Sequence, residues 1–275
     1  MKNILVFLLL SQIIFAQNKR FIYQYTFIPD STNSAHILKE LMYLDITENR
    51  SLFFSRNKLV EDSIAVAEAR KGNPYIPNAD ILYKIEKKNN HVFFLTSDYG
   101  LDKIRVDDDR KMNWKILQKR QNILGYEAQE ALLNFAGRKW TAWFTTDIPV
   151  QDGPYKFHGL PGLILKIEDD KKSHVYELAG IKNIAGDIQY PDLNPEIKDT
   201  NLTHSEFKEI FIRYRKDPAA GTRQLYMAGR IPDQTDTSGK FRTGAEIVRD
   251  IEQLSRERIK KDNNIIEIDL LKAVN

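Results

Sequence analysis

The sequence of 275 residues contains no cysteine. That absence excludes a disulfide framework, thiol catalysis, thiolate metal centres and thiol redox chemistry, so stability rests on packing. Long apolar runs are also lacking: the one at residues 4–15 stops well short of the roughly 20 residues a membrane-spanning helix needs. Blocks of one charge sign are absent as well. The 41 Lys and Arg are interspersed with 38 Asp and Glu for a net charge of +3, a balance that gives no support to nucleic-acid binding. The chain has no Gly-x-x-x-x-Gly-Lys-Ser/Thr phosphate loop, no βαβ dinucleotide fingerprint, no Gly-x-Ser-x-Gly elbow and no His-Glu-x-x-His helix. Its five His, at 36, 91, 158, 174 and 204, show no chelating spacing. Asp107-Asp108-Asp109 lacks the Gly and Glu of a calcium loop and reads as a charged turn. Neither a metal nor a cofactor is expected.

What is present begins with a leader. Met1-Lys2-Asn3 is a short basic start, residues 4–15 are apolar, and Ala16-Gln17 suits cleavage, so residues 1–16 read as a secretory signal peptide. No Cys follows to carry a lipid. The expected product is soluble, periplasmic or extracellular, with no membrane span. Residues 17–200 read as an antiparallel β-rich core, and 201–275 as a helical part that closes with a strand on the same domain.

Phe21, Tyr23, Tyr25 and Phe27 alternate with Ile22, Gln24, Thr26 and Ile28, which predicts a strand with one aromatic face. Similar runs follow at 41–47, 51–57, 81–87, 91–97, 104–106 and 115–123, then at 128–135, 138–146, 163–168 and 174–181. The breaks, such as Lys88-Asn89-Asn90, have hairpin length, so successive strands must be antiparallel. Residues 60–71 read as one helix inside the strand series, stopped by Gly72-Asn73-Pro74. Two further helices are predicted at 203–216 and 243–261. Each opens on a capping-box pattern, Thr203 with Glu206 and Thr243 with Glu246. Phe207, Ile210, Phe211 and Tyr214 share the face of the first that should cover the sheet; Ile247, Ile251 and Leu254 share one side of the second. Residues 265–270 read as a closing strand. The fold class is therefore α+β, a mainly antiparallel curved sheet with one helix within the strand series and two C-terminal helices.

The densest local signal is Gly153-Pro154-Tyr155-Lys156-Phe157-His158-Gly159-Leu160-Pro161-Gly162-Leu163-Ile164. Pro161-Gly162 suits a type II turn, and Asp152-Gly153-Pro154 another. An extended segment between them would send Tyr155 and Phe157 one way and Lys156 and His158 the other. With Trp114, Gly125-Tyr126, Gly137-Arg138, Ala142-Trp143-Phe144 and Ile148-Pro149 in order upstream, this stretch resembles the GLPGLI family of Bacteroidetes, secreted or envelope proteins of unassigned activity. Weaker likeness extends to Ser51-Leu52-Phe53 and to Asn263-Asn264-Ile265-Ile266-Glu267. The chain departs from the family pattern in having Ala128 for a Cys and Ile265 for a Pro. The resemblance implies an exported protein and names no reaction.

In the bland reading of the signature the aromatics fill the core and Lys156 and His158 meet solvent. In the sharper one Lys156 and His158 form a polar pair presented to a ligand or partner, with Trp140 and Trp143 as an aromatic wall. The leading functional expectation is a non-enzymatic binding or accessory protein for an apolar small molecule, lipid, peptide or envelope partner. An exported hydrolase built on Asp147, Asp152 and His158 is the second. The third is a structural partner of an outer-membrane assembly, which would show an exposed apolar patch or an unpaired sheet edge.

Overall fold

The computed structural model describes residues 18–75, 77–99, 103–186, 190–235 and 239–274; the expected leader lies outside them. β1 (Lys19–Phe27) keeps the two-residue period, with Phe21, Tyr23 and Tyr25 buried. β2 (Leu38–Ile46) and β3 (Ser51–Ser55) follow as a hairpin. Ser55 then starts α1 (Arg56–Arg70), its hydroxyl accepting the Lys58 N–H at 3.0 Å, and Gly72 at φ 78° ends it. β4 (Tyr83–Lys88), β5 (His91–Thr96) and β6 (Ile104–Asp107) complete the first antiparallel meander. A second meander runs through β7 (Lys115–Ile123), β8 (Tyr126–Phe135), β9 (Arg138–Thr145), β10 (Leu163–Asp169) and β11 (His174–Asn183).

The two meanders meet where β1 pairs with β11, and β12 (Thr200–Thr203) adds a parallel strand beside β6. The result is a twelve-stranded open sheet in the order β12-β6-β5-β4-β3-β2-β1-β11-β10-β9-β8-β7. Its pairings are antiparallel except at β12. The fold is thus the expected α+β class, with one helix inside the strand series and helices at the C-terminus.

α2 (His204–Lys216) carries the expected capping box at Thr203 and buries Phe207 and Phe211. Their rings lie 5.4 Å from Phe94 and 5.6 Å from Tyr99, so this helix covers the β5 end of the sheet as its pattern predicts. The remaining C-terminal part departs from expectation in three ways. A helix not anticipated, α3 (Ala220–Met227), precedes a short hairpin of β13 (Gln234–Thr235) and β14 (Phe241–Arg242). α4 (Gly244–Lys261) has its capping box at Thr243, yet the residues it buries are Gly244 and Val248, while Ile251 and Leu254 face outward. Gly244 is needed there: a Cβ would lie 2.3 Å from the Ile231 carbonyl oxygen, and the Tyr226 ring of α3 covers the same spot. The helix therefore packs through its N-terminal turn. Finally, the segment read as a closing strand is irregular to Glu267 and then helical, α5 (Ile268–Lys272). Ile266 and Leu270 are its buried anchors, four residues apart, a spacing that suits a helical turn better than a strand.

Among the described residues, no helix is long and apolar enough to cross a membrane.

Candidate functional site

The signature occupies the loop between β9 and β10. Pro161 sits at the centre of a tight turn in which the Gly162 N–H meets the Leu160 carbonyl at 2.7 Å, an i to i+2 contact in place of the expected type II turn. Gly162 is required because a Cβ would lie 2.0 Å from the Thr145 carbonyl oxygen; Gly153 is required because one would lie 2.7 Å from Ile164 Cδ1. The segment between these points is not extended. The Phe157 N–H returns to the Pro154 carbonyl at 3.2 Å, with Tyr155 in the left-handed region at φ 53°. This turn sends Tyr155 and Lys156 inward together and breaks the expected alternation.

Lys156 is consequently buried, 2 % exposed. Its ammonium donates to Asp108 Oδ2 at 2.7 Å and to Glu267 Oε1, and lies 5.1 Å from the Phe94 ring centre. Tyr155 donates to the same Glu267 oxygen at 2.6 Å. Arg110 forks onto Asp108, Nε to Oδ1 at 2.8 Å and a terminal nitrogen to Oδ2 at 2.6 Å, and also reaches Glu267 Oε2 at 2.6 Å. Two cations thus balance two carboxylates out of water. Burial alone would raise the Asp108 carboxyl, but the Arg110 hydrogen bond and the charges of Lys156 and Arg110 outweigh it and bring it down to about 2. Glu267 behaves alike: burial pushes it up, and Lys156, His204 and Arg110 hold it well below the usual carboxylate range.

Asp108, His204 and Glu267 place ligand atoms within 4.8 Å of one another. A divalent ion there would face Lys156 and Arg110, which already satisfy both carboxylates. The donor set fits an internal salt-bridge cluster and not a metal centre.

A second buried network lies beside it. Arg138 donates to Asp169 at 2.8 Å, to Asn264 Oδ1 at 2.7 Å and to the carbonyls of Ile265 and Ile266. His174 sits between the Tyr25 hydroxyl and the Asn264 carbonyl, both at 2.7 Å. Burial, then the nearby Arg138, lower its pKa to about 3, so the ring is neutral. Its Nε2–H therefore donates to Asn264 while Nδ1 accepts from Tyr25. Both networks stitch residues 264–267 to the second meander and to the signature.

A small cleft of about 220 Å³ is lined by Arg50, Ser51, Lys87, His91, Asp152 and His158 among others. Two hairpin turns and the start of the signature form its walls, and Asp152 and His158 face one another as an isolated bridge. Asp152 accepts from Ser51 at 2.5 Å and from Lys87, whose ammonium also donates to the carbonyls of Gly153 at 2.8 Å and Phe157 at 3.1 Å. Burial lowers the Lys87 pKa, against the pull of Asp152. Burial also lowers the His158 pKa, against the hydrogen bond to the Lys156 carbonyl at 2.8 Å. That bond makes Nδ1 the donor of the neutral ring and leaves Nε2 as an acceptor.

Of the residues singled out in the sequence, only His158 and Asp152 line this cleft. Lys156 is inside the salt-bridge cluster. Trp140 is buried against Phe157, ring centres 4.7 Å apart, with its indole N–H on the Phe135 carbonyl. Trp143 is buried too, with Lys119 5.0 Å from its ring. Gly159, Leu160, Leu163 and Ile164 hold the loop and the head of β10, the last three fully buried. Asp147 is exposed and does not line the cleft. Sequence reasoning missed Asp108, Arg110 and Glu267 in the core, and Ser51 and Lys87 in the cleft. The likeness at Ser51 and at Asn264 to Glu267 was the available signal for two of these residues, Ser51 and Glu267.

No curated protein matches the chain. Among solved structures, two crystal forms of PNGF-II are similar, one at 20 % identity and a TM-score of 0.50, the other at 18 % and 0.49. Each match covers 71 % of this chain; the chain spans about a third of the length of PNGF-II, 32 % and 33 % in the two forms. At this identity the first likeness speaks for the fold alone. A family model described as a protein of unknown function, Porph_ging, matches residues 111–166, which run from beside Arg110 through the signature to Lys166. Over those residues the chain is similar to the Porph_ging family, which corresponds to the GLPGLI family that its signature resembles.

Proposed function

We propose that this chain is an exported, non-enzymatic binding protein, and that its cleft receives an anionic group of a polypeptide partner, an acidic side chain or a chain terminus. Export is supported by the leader pattern in residues 1–16. The observation that carries the binding reading is the cleft's composition. Arg50, Lys87 and Lys88 line it beside the single carboxylate Asp152. Arg50 is also paired with Glu86 and Lys87 with Asp152, so the exposed Lys88 is the cation that would meet the anion, and His158 adds a neutral polar edge. At about 220 Å³ it is smaller than the roughly 300 Å³ at which sites for whole small ligands begin, so a protruding group fits better than a free molecule. An apolar occupant is disfavoured, since Trp140, Phe157, Tyr23 and Tyr25 are consumed by the core. Hydrolysis is disfavoured too: Asp147 stands apart, and the Asp152 carboxylate is already engaged by Ser51 and Lys87.

Titration with a tetraglutamate peptide, followed by amide chemical shifts, tests this. Shifts confined to residues 49–51, 87–92 and 151–158, weakened about threefold or more in Lys88→Ala, are expected. Equal shifts with tetralysine, or none at the cleft, would overturn it.

A further inference from the structure

The C-terminal helical part exposes apolar side chains that the fold leaves uncovered. Met227 is 82 % exposed, Leu254 66 %, Phe241 62 %, Leu225 45 %, Tyr226 41 % and Ile251 37 %. They come from α3, β14 and α4, which pack on one another: the Tyr226 ring covers Gly244 at the start of α4, and Arg223 pairs with Glu252 at 3.1 Å. On α4, Ile247, Ile251, Leu254, Arg258 and Lys261 follow at i, i+4, i+7, i+11 and i+14, an outward stripe that passes from apolar to basic. Charge follows the same division. Residues 204–261 hold thirteen Lys and Arg against nine Asp and Glu, so this part carries the chain's whole positive excess and the remainder is slightly acidic.

We infer that α3, β14 and α4 form an interfacial docking surface for an anionic lipid bilayer. Three features favour a bilayer over an acidic protein. The apolar residues project from three separate elements, and an acyl boundary conforms to any such contour, whereas a protein partner needs a matching shape. They are flexible or amphipathic types, Met, Leu, Phe and Tyr, that enter the headgroup region at little cost. Arg258 and Lys261 continue the apolar stripe, placing cations where anionic headgroups would lie when Leu254 and Ile251 insert. This surface is distinct from the cleft and does not depend on the reading given for it.

The test is co-sedimentation of the full chain with vesicles of phosphatidylglycerol and phosphatidylcholine, with hydrogen exchange read by peptide. The exchange readout separates this surface from any contribution of residues 4–15. Protection of 221–229 and 244–261 on phosphatidylglycerol vesicles, reduced by about 0.5 M salt, roughly three times physiological strength, is expected. Met227→Asp with Leu254→Asp should weaken that protection about tenfold or more, and both sites are exposed, so the fold should survive. Arg258→Glu with Lys261→Glu should remove the preference for anionic over zwitterionic lipid. No protection of these peptides on vesicles, unchanged protection in the aspartate variant, or protection by polyglutamate in place of vesicles would each overturn the inference.

Discussion

Lys156 of the signature and Glu267 of the C-terminal segment, 111 residues apart in sequence, form an ion pair in the protein interior, with side chains 3 % and 6 % exposed. The signature and the C-terminal segment thus meet at one physical site. Asp108 and Arg110 complete it, and each charged group has an opposite partner within hydrogen-bonding distance. Such a cluster tolerates little change, because removing one member strands another in a medium that solvates it poorly.

Lys156→Met should therefore destabilise the fold by about 3–5 kcal/mol, since Asp108 and Glu267 then share Arg110 alone. Adding Glu267→Gln should recover part of that loss by restoring the charge balance, although the second change taken alone is also destabilising. Urea unfolding midpoints of the two single variants and the double variant measure the coupling. A double variant whose loss equals the sum of the singles would show that the pair is not coupled.

Acid should unfold the protein in two overlapping stages. His174 is neutral in the fold down to about pH 3, whereas an unfolded histidine takes a proton near pH 6.5. Between those values the unfolded state binds more protons, so stability falls as pH falls through that window, by up to about 4 kcal/mol. Asp108 and Glu267 act lower. Their folded pKa values lie below the unfolded carboxylate range of roughly 4, so their contribution is intact above that range and is lost as pH drops toward about 2. His174→Gln should flatten the first stage and leave the second, which urea midpoints measured from pH 7 down to about pH 2 will show.

Patterns local to one element were legible in the sequence; those requiring distant partners were not. Phe21, Tyr23 and Tyr25 announce the buried face of β1, and Thr203 with Glu206 announces α2, because both signals reside in neighbouring residues. Asp107-Asp108-Asp109 reads as a solvated turn because its own neighbour Arg110 can pair with Asp108 at the surface as well as in the core; what buries the pair is Lys156, 48 residues away. The apolar stripe of α4 is visible in its spacing, but which part of it meets a neighbour is not: Tyr226 meets Gly244 and leaves Ile251 and Leu254 outside. In the signature, Gly and Pro locate the turns correctly, but the direction of Lys156 depends on the left-handed Tyr155, which a non-glycine residue rarely adopts.

Two glycines of the signature, Gly159 and Gly162, should separate in a mutational comparison. Gly159 has φ 87° with open space where a Cβ would stand, so Gly159→Ala meets only the backbone penalty of a left-handed conformation, about 1–2 kcal/mol. Gly162 is constrained by contact: its Cβ would stand 2.0 Å from the Thr145 carbonyl oxygen and 2.6 Å from the carbonyl carbon, and backbone cannot rotate aside as a side chain would. Gly162→Ala must push β9 from the head of β10, where Leu163 pairs with Thr145, and should cost about 3 kcal/mol or more. Hydrogen exchange will distinguish the cases. Gly159→Ala should leave protection across Leu163 to Ile167 unchanged in pattern, whereas Gly162→Ala should lower it first at the β9 to β10 junction. Equal losses of stability in the two variants would mean that close approach to Thr145 is not what selects glycine at 162.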